Sequence, residues 1–180
     1  MTSPRLGWIA TLAACLALTA CVDWGGANFT PTASPDATTI NGIPVPPDPG
    51  PANDATLAGI DANHNGVRDD VERAIAEKYG TNIPQWKAEM QLAASMQAET
   101  VADGQNPQAA QANASAVRAG DCEALTFFGP DTSQDVRALE FVFYLTVDTP
   151  QRYNAFETTA SLDTPYQNIP DNEACTWPSP

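Results

Sequence analysis

The sequence predicts an all-α fold, a small bundle of about five helices preceded by a proline-rich tether and an oxygen-rich loop. Three observations carry that reading. Apolar residues recur at helical spacing from residue 71 onward, as in Val71, Ile75 and Tyr79. Residues suited to a helix start stand ahead of such segments, namely Pro84, Pro107 and the pair Thr149-Pro150. The stretch before residue 57 instead carries Pro31, Pro35, Pro44, Pro46, Pro47, Pro49 and Pro51 among Gly, Thr, Ser and Asp, a composition too poor in apolar surface to fold alone. A length of 180 residues suggests one domain.

The first 20 residues read as a targeting segment. Arg5 supplies the positive start, and Leu6 to Ala20 is a mostly apolar run of 15 residues. A spanning helix needs about 20. The run ends in Leu18-Thr19-Ala20-Cys21, which resembles the lipobox of bacterial lipoproteins. That resemblance implies cleavage before Cys21, lipidation of its thiol, and a bacterial cell-envelope protein held by a membrane anchor on the extracytoplasmic side. Leu12-Ala13-Ala14-Cys15 is a weaker match that would leave too short an apolar run. An uncleaved anchor and ordinary secretion are the alternatives. Val22 directly after Cys21 resembles outer-membrane rather than inner-membrane lipoproteins.

Residues 21–56 form the expected tether, which as proline-rich chain could hold a domain up to about 100 Å from a bilayer. Ile40, Ile43 and Val45 make a small apolar group that can lie on the domain as an extended arm. The folded part, residues 57–180, is expected to begin with Leu57 and Ile60 plugged into the core.

Residues 61–72 read Asp61-Ala62-Asn63-His64-Asn65-Gly66-Val67-Arg68-Asp69-Asp70-Val71-Glu72 and fit D-x-[DN]-x-[DN]-G-x5-E at every specified place. Calcium takes six to eight oxygens at flexible geometry. The side chains of Asp61, Asn63 and Asn65 can converge on one point, and Gly66 permits the sharp turn. The carbonyl of Val67, the carboxylate of Asp69 and both oxygens of Glu72 complete the expected ligand set. Three carboxylates with two amides suggest weak, extracytoplasmic-type affinity, on the order of 10⁻⁴ to 10⁻³ M. The stretch resembles the EF-hand loop, and more closely the single calcium loops of bacterial secreted proteins and thrombospondin type 3 repeats. Two departures matter. The eighth place, usually apolar and bridging to a partner loop, is Arg68, and the lead-in Pro44 to Pro51 cannot form the incoming helix. The competing reading is an Asx-rich turn that only caps the next helix, with Asp69 and Asp70 complementing its dipole.

The first helix is expected over Asp69–Tyr79 with Gly80 as its stop, and the second from Pro84 to about Ala102 with Trp86, Met90, Ala93 and Ala94 inward. An Ala-rich third runs from Pro107 to about Ala119, facing Ala110, Ala114 and Val117 inward, with Gly120 able to break it. Thr132 and Asp135 resemble a capping box for a fourth helix through Val147, although Phe141 to Val147 has strand-like composition. The fifth opens at Thr149-Pro150 and reaches about Ser161, and residues 162–180 show little periodicity.

Chemistry is narrowed by what the chain lacks. Eight basic against 22 acidic residues argue against nucleic acid and anionic lipid headgroups as polar partners. The one histidine, His64, sits at an outward place in the loop, which leaves none for a nucleophile–base pair or a zinc site. With Cys15 in the signal and Cys21 lipidated, Cys122 and Cys175 remain, and an oxidising compartment favours a disulfide bond between them. Closing a loop of about 54 residues is worth roughly 4 kcal/mol in the chain-entropy picture. Two free thiols or a metal pair lack any neighbouring Cys or His.

The reading is a membrane-anchored, non-enzymatic binding or interaction module with a structural calcium ion, meeting an unknown envelope protein. The alternative is a cell-envelope hydrolase using a helix-borne carboxylate such as Glu89, Glu99 or Glu140, residues that otherwise belong to solvated helix faces.

Overall fold

The structure, a computed structural model, describes residues 38–105, 133–162 and 171–175, and nine residues between Ala109 and Cys122. It is mostly helical, with one small sheet. A β-hairpin, β1 (Thr38–Ile40) and β2 (Ile43–Val45), leads into a 3-10 helix over Gly50–Ala55. The helices α1 (Asp69–Tyr79), α2 (Ile83–Ala102), α3 (Ser133–Thr146), α4 (Pro150–Ala160) and a single turn α5 (Asp171–Ala174) follow. Between α2 and α3 the described residues Ala109, Gln111, Ala112, Ser115, Ala116, Arg118, Ala119, Gly120 and Cys122 are helical.

The caps lie where local chemistry puts them. Asn82 accepts from the Gln85 N–H at the start of α2, and the Thr149 hydroxyl accepts from the Arg152 N–H at the start of α4. Both helices carry proline in their first turn, where the missing N–H costs nothing. Gly80 closes α1 with its N–H on the Ala76 carbonyl. Its φ of −58° is ordinary, so glycine is needed there for space: a β-carbon would collide with the Ala76 carbonyl oxygen and come within 3.0 Å of Asn41.

α2 is the central element and packs against α1, α3 and α4. Trp86, Met90, Ala93 and Met96 from α2 meet Val71, Ile75 and Ala76 from α1 and Val142 from α3 in one core cluster. Ala94 packs on that cluster half-buried. The hairpin completes the cluster with Ile43 and Val45. Asn41 and Gly42 form its turn at φ 50° and 84°, the two-residue geometry that Asn-Gly favours. The Asn41 amide then donates to the last carbonyls of α1, Ala76 at 3.0 Å and Glu77 at 2.8 Å. Arg73 donates to the Thr38 hydroxyl and the Pro46 carbonyl.

Several expectations are corrected. Residues 38–56, expected as tether, lie on the domain: the apolar group Ile40, Ile43, Val45, expected as an extended arm, seats them on α1 as a hairpin. The proline-rich lead-in turns helical at its end, as a 3-10 helix from Gly50. Leu57 and Ile60 are only half-buried and stand outside the core, whose place β2 has taken. Gly120 is itself helical, as is Cys122. Ala109, Ala112, Ala119 and Cys122 are the buried residues of the third helical segment among those described, while Ala110, Ala114, Val117 and the side chains of the Thr132–Asp135 capping box lie outside what is described. Phe141 to Thr146 is helix despite its strand-like composition, with Val142 and Thr146, four residues apart, turned inward.

Cys122 and Cys175 are joined by a disulfide across 53 residues. The bridge ties the end of α5 to the third helical segment, and a hydrogen bond from the Gln91 side chain to the Ala174 carbonyl, 2.9 Å, fastens it to α2. No helix among the described residues is long and apolar enough to cross a membrane.

Candidate functional site

Two left-handed residues fold the oxygen-rich loop. His64 at φ 56° and Gly66 at φ 87° reverse the chain twice within three residues, so Asp61, Asn63 and Asn65 share the inner side and the His64 side chain is left exposed. The two Asp61 carboxylate oxygens accept from the N–H groups of Asn65, 3.2 Å, and Gly66, 2.9 Å. The amides of Asn63 and Asn65 each donate to one oxygen of Glu72 at 3.0 Å. Asp61, Asn63, Asn65 and Glu72 thus surround one small volume at the start of α1. Val67 is buried beside it. Asp69 is turned back into the loop, where it accepts from the Ala62 N–H at 2.9 Å. It therefore does not cap α1, whose N-cap residue, Arg68, makes no side-chain capping bond.

The electrostatics of this volume favour a cation. Burial pushes the Glu72 carboxyl up to about 7 from 4.5, the two amide hydrogen bonds pull it back, and Asp69 and Asp61 push it further up. Asp69 is raised too, first by burial. Carboxylates under such strain are relieved by a positive charge among them. The donors are oxygen throughout, which suits a hard cation such as calcium, and turning the Asn63 and Asn65 amides over exchanges nitrogen for oxygen at the same position. Among the described residues no three His, Cys, Asp or Glu side chains form a ready metal cluster, and a cation held here would need amide and carbonyl oxygens for part of its set.

What the sequence reading missed is how this loop is mounted. Arg68, the departure at the eighth place, is fully buried. It donates to Asp70 through Nε and Nη2, to Asp148 at 2.9 Å, and to the Leu145 and Thr146 carbonyls at the end of α3. A cation there answers both the open carbonyls and the negative end of the helix dipole. Arg152 of α4, equally buried, takes Asp148 from the other side at 2.7 Å and donates to Asp54 and to the carbonyls of Asn53, Thr56 and Leu57. The one available signal was Arg68 itself, a charge where an apolar residue is usual.

The carboxylates considered for hydrolysis do not assemble. Glu89 and Glu99 are both buried rather than on solvated faces, and lie ten residues apart on α2, about 15 Å along its axis. Burial alone pushes Glu99 up to about 7. Glu140 is exposed on α3. An open cleft of about 560 Å³ between the 3-10 helix, the end of α2 and α4 is lined by Asp54, Asp103, Gln151 and Asn154, among others. Cys21 lies outside the described residues. Set against known proteins, the chain matches no family model, no curated protein and no solved structure.

Proposed function

We propose that the chain is a lipid-anchored extracytoplasmic lipoprotein of the bacterial envelope, outer membrane in preference to inner. Its helical domain is a binding or interaction module for another envelope protein, and residues 61–72 hold a structural calcium ion. One observation carries the calcium reading: Asp61, Asn63, Asn65 and Glu72 face one volume in which Glu72 is pushed up to about 7. The anchor rests on Leu18-Thr19-Ala20-Cys21 after an apolar run, and the acidic surface turns nucleic acid away. Glycoside hydrolysis uses two carboxylates at one place, and Glu89 and Glu99, ten residues apart on α2, are not so placed.

Two experiments test the reading. Calcium should bind with measurable heat and raise the melting temperature of the protein, by the equivalent of about 2.7 kcal/mol at a hundredfold excess over the dissociation constant. Magnesium should do less, because it demands six close oxygens and sheds water reluctantly. Absence of both heat and shift at about ten times 1 mM, the weak end of the range, leaves the loop a mere turn. Cys21→Ser should abolish acylation and membrane partition, and a variant that still partitions into detergent like the mature form refutes the anchor.

A further inference from the structure

The segment between the hairpin and the loop is a short 3-10 helix and otherwise irregular, and donors outside it hold its carbonyls. Arg152 takes Asn53, Thr56 and Leu57; the Gln97 amide takes Ala58 at 2.9 Å; the Asp69 N–H takes Ile60 at 2.8 Å. The buried Asn53 side chain accepts from the Ile60 N–H. Gly59, at φ 64°, lies so close that a β-carbon would stand 2.5 Å from Arg68 Cδ and 2.6 Å from Asn53 Oδ1. Irregular backbone stays folded only while such partners remain.

These attachments lead back to the candidate cation loop, directly or through Asp148 and α1. Asp69, a loop residue, holds Ile60 by its N–H and Ala62 by its carboxylate. Arg68, also in the loop, donates to both carboxylate oxygens of Asp148 at 2.9 and 3.3 Å, and Arg152 shares one of them at 2.7 Å. The hairpin's bonds to Ala76, Glu77 and Arg73 all fall on α1, whose first turn is the end of that loop. An empty loop leaves Asp61, Asp69 and Glu72 repelling one another beside Asp70, the same Asp70 that holds Arg68 by two bonds.

We propose that the Arg68–Asp148–Arg152 knot is the joint through which the cation loop governs whether Thr38–Ile60 lies folded on the domain or passes into the tether. Cation loss releases the segment, and calcium locks it. Released, these 23 residues add about 70 Å of reach at about 3.1 Å per residue. The cation thereby sets how far the module stands from its anchor. The inference rests on the reading of residues 61–72 as a calcium site.

The test is amide hydrogen exchange by mass spectrometry on the whole protein in detergent, paired with calorimetry of calcium uptake. At calcium a hundredfold above its dissociation constant, opening of residues 38–60 should be about a hundredfold rarer than in chelator, with a smaller change in α2. Asp148→Asn should still take up calcium while residues 38–60 exchange fast with or without it. Gly59→Ala, which crowds Arg68 and Asn53 without touching a carboxylate of the loop, should do the same and guards against misfolding of the first variant. Calcium uptake with no change in exchange of 38–60 overturns the coupling and leaves the calcium site standing. Wild-type-like response in both variants overturns the role of the knot. No uptake heat at all overturns both the calcium site and the coupling.

Discussion

Arg68 and Asp148 meet at 2.9 Å across 80 residues of sequence. The guanidinium is fully buried, and the carboxylate is shared with Arg152. One ion pair so placed does three things at once: it closes the end of α3, sets the angle between α3 and α4, and fixes the loop to both. Arg68→Met should therefore cost about 3 kcal/mol, because it leaves the Leu145 and Thr146 carbonyls and the Asp148 carboxylate underfilled. Urea denaturation monitored by circular dichroism checks this, and a loss under about 1 kcal/mol would class the pair with exposed ones.

Glu72→Gln isolates the cation. The amide keeps a hydrogen-bonding partner for Asn63 and Asn65 but removes the carboxylate that burial strains. The variant should lose most of the calcium-induced rise in melting temperature, yet in chelator it should melt no lower than wild type. Differential scanning calorimetry with and without calcium separates the two effects. A variant that melts far lower in chelator would mean that Glu72 serves packing alone.

The buried Glu99 gives the domain a pH dependence. Its folded value near 7 lies above 4.5, so its stabilising share is full below about pH 4.5 and is lost as pH rises through about 7. The loss is on the order of 3 kcal/mol. Glu72 acts in the same direction and window in chelator, and calcium should cancel its share by holding it ionised. Glu99→Gln should flatten the fall in urea midpoint with rising pH, and an unchanged slope would remove Glu99 as the cause.

The disulfide should matter more than its place at the edge suggests. Opening Cys122–Cys175 frees a closed loop of 53-residue separation, a loss of roughly 4 kcal/mol. Reduction should lower the unfolding midpoint and detach α5 from α2, seen as faster exchange around Ala174. Quantitative alkylation of both thiols without reductant would show that no bridge forms.

How much was legible depended on how locally each feature is decided. The limits of α1, α2 and α4 follow from spacing, first-turn prolines and the caps Asn82 and Thr149, all read within a few residues. The Asn41-Gly42 turn is equally local and was the overlooked sign that the tether's end is a hairpin. Proline content hid it, because the partner that makes Ile43 and Val45 core lies more than 25 residues on, in α1.

The sequence by itself determined the helices α1 to α4, the pairing of the last two cysteines and the spacing of oxygens in residues 61–72, since each rests on neighbouring side chains or on elimination. Only the tertiary structure decided which charges are inside. Glu89 and Glu99 read as residues of solvated helix faces, yet both are buried, as are Arg68 and Arg152. For Arg68 and Arg152 the reason is that a buried charge survives only where partners converge on it, and theirs, Asp148 and carbonyls scattered from Asn53 to Thr146, are distant in sequence and meet only when α3 and α4 close over the loop.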